Sequence, residues 1–338
     1  MDTPDLPFPL SRRNFLKTTL AASLAAGLGA PAWAADQRNG IPYHTLGRTG
    51  EKVSMLGLGG YHAGVPFLES DSIALIRAAV DAGINFLDNS WDYRDGSCET
   101  RMGNALRDGY RDKVFLMTKI DGRSKAAAAS QIDESLKRLQ VDHVDLMQFH
   151  EIVRMSDPDR IFAPGGAMEA MLDAKKAGKL RYIGFTGHKS PEIHLKMLAT
   201  AETNNFHFDT VQMPLNVLDA HFDSFTSKVV PVLLKRDIGI IGMKPLASGI
   251  VLQTNTASAV ECLRYAMTLP TSVVLTGCDS MDTLNQALGV AKNFQPMTKD
   301  EIAALLAKTA PVAVSGQYEP YKTSDHFDGT TRNPQWLG

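Results

Sequence analysis

The segment Val114-Phe-Leu-Met-Thr-Lys119 is a short apolar run ending in a cation. Residues 125–139 then carry apolar positions at helical spacing, and Val144-Asp-Leu-Met-Gln-Phe-His150 is a second apolar run ending in a polar residue. Runs of this length rich in branched and aromatic side chains read as strands, and longer segments at the 3.6-residue period read as helices. The couplet repeats in both directions. Upstream, strand 53–59 precedes helix 72–82, and strand 84–87 precedes a short helix at 99–106. Downstream, helix 167–177 is followed by strand 182–185 and a helix opening at Pro191, a residue suited to a first helical turn. Strands 210–213, 239–243 and 272–275 precede helical segments 224–235, 257–268 and 281–294. Eight such couplets predict an α/β chain whose parallel sheet closes into a (β/α)8 TIM barrel. The competing arrangement is a doubly wound open sheet, disfavoured because no Gly-x-Gly-x-x-Gly follows the first strand.

Additions flank the barrel at both ends. Tyr43-His-Thr-Leu-Gly-Arg-Thr-Gly50 reads as an N-terminal β-hairpin with glycine turns, and residues 299–308 as an extra helix. Residues 315–338 have no sustained period and read as a C-terminal loop or tail, in which Tyr318, Tyr321, Phe327 and Trp336 favour packing over disorder. The composition of the whole 338-residue chain, 44% hydrophobic and 21% charged with a net charge of −2, requires no second domain and gives no footprint for nucleic acid or an anionic membrane.

Residues 1–34 differ from the rest. Ser11-Arg-Arg-Asn-Phe-Leu-Lys17 is followed by an Ala- and Gly-rich run over 18–30 and then by the small-x-small site Ala32-Trp-Ala34. This resembles a twin-arginine (Tat) export signal, which implies transport of the folded chain by the twin-arginine machinery to the periplasm or another exported location. A transmembrane anchor is the competing reading, but the run falls short of the roughly 20 apolar residues a span needs. The mature barrel domain then covers 35–338. Cys98, Cys262 and Cys278 are odd in number and without paired spacing, so no disulfide framework is expected. Cys98 falls in the loop after Tyr93, where solvent exposure is expected.

Asp88, Tyr93, Lys119 and His150 all fall at or just after predicted strand ends. Singly, three of them have a plain structural reading: Asp88 as a turn residue, Lys119 as a solvated strand end, His150 as a satisfied histidine at the edge of the core. Together the four form a proton-donor set. A phenol ionises near pH 10, and a nearby ammonium is expected to favour the phenolate and ease proton release from Tyr93. Asp88 would serve as counter-charge for Lys119 and His150 would orient a carbonyl oxygen, the arrangement needed to stabilise an alkoxide while protonating it. Trp91 is expected to wall the substrate pocket. His62, His150 and His188 follow strands at the same barrel end. They lack His-x-His or His-Glu-x-x-His spacing and have Lys119 beside them, so a metal hydrolase is disfavoured and no metal is expected.

From about Tyr43 to Phe294 the chain resembles the aldo-keto reductases, on the motifs Leu46-Gly-Arg-Thr-Gly50, Gly83-Ile-Asn-Phe-Leu-Asp88, Tyr93, Glu99 with Gly103, Lys119, His150, Gly178-Lys-Leu-Arg-Tyr-Ile-Gly184 and Gln212. The resemblance implies a nicotinamide cofactor across the C-terminal mouth of the barrel and a small carbonyl or alcohol substrate. It implies that Gln212, with Thr186 and Gly187, binds the nicotinamide carboxamide. The family more often has Ser-Asn where this chain has Thr186-Gly187, with Asn216 and His188 near enough in sequence to compensate. Met243 stands where an aromatic often stacks on the ring, and Lys244 would contact phosphate. Gly277 opens the loop after the eighth strand, Gly277-Cys-Asp-Ser-Met-Asp-Thr283, where the expected basic grip on a 2′-phosphate is not evident. NADP is the family expectation, and NAD stays open. A nicotinamide-binding sensor or accessory protein on the same barrel is the alternative to an enzyme.

Overall fold

A computed structural model describes residues 36–338, so the leader at 1–34 lies outside the described residues. Three short strands come first: β1 (Gln37–Arg38), β2 (Ile41–Thr45) and β3 (Lys52–Ser54), paired antiparallel in that order. The expected hairpin is therefore the β2–β3 part of a three-stranded sheet, turned through the single helical turn Gly47–Thr49. Eight parallel strands then close a barrel: β4 (Leu56–Gly59), β5 (Phe86–Asp88), β6 (Phe115–Ile120), β7 (Val144–Phe149), β8 (Leu180–Thr186), β9 (Thr210–Pro214), β10 (Gly239–Met243) and β11 (Val273–Gly277). β11 pairs with β4 to complete the ring.

The run read as one strand over 53–59 is divided between two sheets. Lys52–Ser54 stays in the antiparallel sheet, while Leu56–Gly59 enters the barrel after Met55. Both halves are buried, so hydrophobicity carries no mark of the change. Leu46 and Val53 pack with Phe86, Phe115, Leu146, Ile241 and Val273, which plugs the barrel at the end where its strands begin. The other end is left to the residues that follow the strands.

Segment 224–235 breaks into Phe225–Lys228 and Val230–Lys235, the second carrying Pro231 at its start, where a missing N–H costs nothing. The extra helix runs past its expected end, Lys299–Ala313, with Pro311 inside its last turns. Residues 315–338 are an ordered, packed tail of helical turns, Pro320–Thr323, Gly329–Arg332 and Pro334–Leu337. Tyr321 is fully buried against Val217, Leu218, Val251 and Tyr265. Cys98 corrects an expectation: it lies in the helix Ser97–Ala105, and it is buried, as are Cys262 and Cys278. Its neighbour Ser97 faces solvent, but Cys98 turns toward the carbonyl of Tyr61.

Candidate active site

Parallel pairing sets the ends of β5, β6 and β7 side by side: Asp88 pairs in register with Met117, and Lys119 with Gln148. Lys119 is fully buried, and its Nζ lies 2.5 Å from Asp88 Oδ1. The same ammonium donates to the Asn89 carbonyl at 2.5 Å and to Tyr93 Oη at 3.2 Å. The His150 ring meets Tyr93 edge-on at 5.7 Å, and Tyr61 meets it from another side at 5.4 Å. The structure thus brings Asp88, Tyr93, Lys119 and His150 into one cluster.

Its electrostatics differ from the expectation for Tyr93. Burial, then the carboxylates of Asp88, Asp92 and Glu151, push the phenol well above its ordinary value of 10. The single ammonium at Lys119 is already neutralised by Asp88, so it does not make the phenol a stronger acid. Burial also raises Asp88 against the pull of Lys119.

Two carboxylates were not singled out by the sequence. Asp121 Oδ1 lies 3.1 Å and Asp92 Oδ1 3.2 Å from His150 Nδ1. Burial disfavours a charged ring, but Asp92 and Asp121 outweigh it and lift His150 to about 10. Burial and then Asp92 raise Asp121 to about 6. Their signal was adjacency: Asp92 directly precedes Tyr93, and Asp121 follows Lys119 by one intervening residue. Behind them Arg123, also buried, donates to the carbonyls of Asp121, His150 and Glu151 and pairs with Asp157 at 3.2 Å. Glu151 has a left-handed backbone (φ 46°), and its carboxylate accepts from the amides of Gly329 and Thr330 at 2.9 and 2.7 Å. The tail is thereby fastened to the residue beside His150.

Asp92, His150 and Glu151 bring ligand-type atoms within 4.8 Å of one another. The Glu151 carboxylate is engaged by the tail and His150 Nδ1 by aspartates, so this group is already internally partnered. Of the other histidines at this end, His188 pairs with Asp328 at 2.9 Å.

Around the mouth, Thr186 and Gln212 are neighbours in register. Gln212 Nε2 donates to Met243 Sδ at 3.6 Å, and its buried Oε1 has no hydrogen-bond partner among the described residues. An orphaned acceptor is costly unless a ligand supplies a donor, and a carboxamide N–H is such a donor, so this feature fits a nicotinamide. Gly187 admits no side chain, because a Cβ there would lie 2.4 Å from the Ile152 carbonyl oxygen. The expected compensation from Asn216 and His188 does not hold. Asn216 is spent on the Lys244 carbonyl, Tyr321 Oη and the amides of Leu218 and Asp219, and His188 on Asp328.

Lys244 also has a left-handed backbone (φ 52°), and its ammonium stands over the rings of Phe327 and Tyr321 at 5.0 and 5.4 Å. Burial lowers it to about 8. Gly277 is pressed against His62, where a Cβ would meet Nδ1 at 2.4 Å. Trp91 donates its indole N–H to Glu134 at 2.8 Å, lies by the guanidinium of Arg138 and meets Trp336, which places it between the helix Lys125–Leu139 and the tail.

A closed eight-stranded barrel with this cluster at its C-terminal mouth is the architecture of a TIM-barrel enzyme class. The chain belongs to the aldo/keto reductase family, which it matches over residues 55–261, and residues 9–29 match the TAT (twin-arginine translocation) pathway signal sequence. It is 30% identical over 233 residues to L-galactose dehydrogenase of Arabidopsis thaliana, covering 63% of this chain and 68% of that protein. It is 30% identical over 249 residues to aldo-keto reductase AMT2 of Alternaria alternata, covering 61% of this chain and 65% of that protein. The matched stretch thus spans about two thirds of these relatives' length. The holo form of aldo-keto reductase AKR11C1 from Bacillus halodurans superposes with a TM-score of 0.68 at 22% identity, over 82% of this chain and 99% of that one, a likeness of fold. Among the described residues no helix is long and apolar enough to cross a membrane.

Proposed function

We propose that the chain is an exported, nicotinamide-dependent oxidoreductase that reduces an aldehyde or ketone, or oxidises the corresponding alcohol. The observation that carries this reading is Lys119 Nζ, held between Asp88 Oδ1 at 2.5 Å and Tyr93 Oη at 3.2 Å, with the His150 ring against the tyrosine. A bound nicotinamide supplies hydride to a carbonyl carbon. Tyr93 gives its proton to the alkoxide so formed, which is basic enough to take it from a phenol of raised pKa. Lys119 holds the phenol oxygen in place through its 3.2 Å hydrogen bond, Asp88 fixes Lys119, and His150 orients the substrate oxygen. Gln212 and Thr186 would hold the carboxamide, Met243 would pack against the ring through its sulfur, and Lys244 and the backbone at Gly277 would face the phosphates. Gly187 gives the backbone room there. NADP is the nucleotide the family suggests; no basic fork for a 2′-phosphate stands after β11, which keeps NAD in the comparison.

Export of an already folded chain suggests that the nucleotide travels inside it and is cycled in place, one substrate being oxidised as another is reduced. The test is to purify the mature protein from the exported fraction, denature it and identify any released nucleotide by mass and absorbance, while assaying carbonyl reduction. Bound NADP or NAD with turnover supports the proposal. Tight nucleotide without turnover favours an accessory or sensor role, and absence of nucleotide with weak NADPH and NADH binding overturns the carried-cofactor reading.

A further inference from the structure

His150 is approached at a single nitrogen by oxygens from two elements. Asp92 reaches Nδ1 from the loop after β5 at 3.2 Å and Asp121 from the end of β6 at 3.1 Å. Ser90 Oγ lies 3.3 Å from the same nitrogen and donates to Asp92 Oδ1 at 2.5 Å, which commits the serine proton to the aspartate. Nε2 makes no hydrogen bond among the described residues.

This geometry restricts the state of the ring. A neutral imidazole carries one proton. Placed on Nε2, it would leave the Nδ1 lone pair pointing at two carboxylates. Placed on Nδ1, it would leave Nε2 an acceptor, unable to donate to the oxygen of a substrate. Only a ring protonated at both nitrogens satisfies the two aspartates and presents a donor at its other edge.

We propose that Asp92 and Asp121 are positioning residues that hold His150 as an imidazolium, so that Nε2–H is a charged donor to the substrate oxygen. The proposal rests on the carbonyl-reductase reading of the site and assigns residues that the tetrad does not include.

The surroundings agree with it. The other charged groups facing the ring are Asp88, Lys119 and Glu151, and Lys119 and Asp88 neutralise each other. Arg123 lies behind the His150 carbonyl and is paired with Asp157. The ring is therefore the cation nearest to the two aspartates. Asp121 Oδ2 is buried with no hydrogen-bond partner among the described residues, so its charge has only the imidazolium to lean on. Two aspartates sharing one N–H repel each other, and Asp121 is the one whose carboxyl takes up a proton first on acidification. Asp92 still holds the ring when that happens.

The test is a histidine-labelled NMR titration of the mature protein, with the His150 signal assigned by its loss in His150→Gln. In the wild type, His150 should remain protonated at both nitrogens through pH 8.5. In Asp92→Asn, its midpoint should fall from about 10 toward the ordinary 6.5. Asp121→Asn should do the same, and Asp92→Asn carries the test alone if the Asp121 variant does not fold. A kinetic readout separates this from a merely structural role: in Asp92→Asn, carbonyl reduction should fall as pH rises through neutrality while the wild type stays flat, and the conservative variant Asp92→Glu should restore the flat profile. A uniform loss at every pH would overturn the proposal. So would a neutral His150 at pH 7 in the wild type, or one zinc ion bound per chain that displaces the His150 signal. An imidazolium in a protein that turns over no carbonyl would leave the electrostatic finding intact and remove the reductase reading, so the two failures are distinct.

Discussion

Trp336 meets Trp91 edge to face, with ring centroids 5.6 Å apart and planes 87° from parallel. The contact joins the tail to the loop that carries Tyr93, and the Trp91 N–H bond to Glu134 fixes the plane the tail must meet. The Trp336 carbonyl accepts from Gln131, and the Leu337 carbonyl from the amides of Arg123 and Ser124. A double-mutant cycle of Trp91→Ala and Trp336→Ala in urea should give a coupling of about 1 kcal/mol. Trp336→Ala alone should also expose residues 315–338 to limited proteolysis. Additivity within error would separate the tail from the loop.

Tyr93→Phe should lower carbonyl reduction by about 10²- to 10⁴-fold, the usual worth of a general acid. The ring keeps its contacts with Tyr61 and His150, so nucleotide affinity by fluorescence titration should change only a few-fold. Wild-type turnover would remove Tyr93 from the chemistry.

Lys119→Met strands Asp88 as a buried charge, since the pair is only 1% and 6% exposed. Removing one partner of such a pair costs about 3–5 kcal/mol. Chemical denaturation should register that loss, and adding Asp88→Asn should recover most of it without recovering the reduction rate. Recovery of rate as well would make the pair purely structural.

Lys244 carries a pH signature. Burial holds it at about 8 against an ordinary 10.5, so between those values the unfolded chain keeps a proton that the folded chain has released. Stability from this group therefore rises with pH across that window and is lowest below it. Lys244→Met should melt higher than wild type at pH 7, the advantage shrinking from pH 8 to 10.5 in calorimetry, while nucleotide binding weakens. Equal melting temperatures at pH 7 would mean that the ammonium is adequately solvated between Tyr321 and Phe327.

Arg12→Lys with Arg13→Lys should block export and leave folded precursor in the cytoplasm, because the signal matched over residues 9–29 depends on its arginine pair. Fractionation and immunoblotting measure it. Normal appearance of cleaved protein outside the cytoplasm would point to another route.

The barrel was legible because the strands β4–β11 are buried on both faces along most of their length, Arg181 in β8 and Gly277 in β11 being the exposed positions, while the long helices bury one face, which writes two different periods into the chain. Val144–Phe149, Lys125–Leu139 and Gly239–Met243 have the bounds their patterns imply. The division at Met55 was hidden because both sheets bury the run equally. Strand ends gave Asp88, Lys119 and His150, since polar residues closing apolar runs must point at the mouth. Asp92 and Asp121 were missed for a different reason: their meaning lies in convergence on one nitrogen from separate loops, and no spacing along a chain encodes that. The raised Tyr93 has the same origin, because it depends on carboxylates gathered from two segments, Asp88 ending β5 with Asp92 beyond it, and Glu151 after β7. Asn216 and His188 looked available until the tail folded onto them, a contact between residues far apart in sequence.

The buried cysteines carry a consequence for the export that the twin-arginine signal match over residues 9–29 suggests. Burial pushes the thiols of Cys98, Cys262 and Cys278 up to about 12, so roughly one in 10⁵ is ionised at pH 7, and the thiolate is the form that attacks disulfides and oxidants. Once folded, the chain presents almost nothing for an oxidising environment to react with, despite holding three unpaired sulfhydryls. An unfolded chain crossing the membrane would arrive with all of them bare, free to form mixed disulfides or cross-linked dimers. For a chain exported through the twin-arginine route, completing the barrel before transport would thus also be a form of redox protection, conferred by packing alone and needing no disulfide bond.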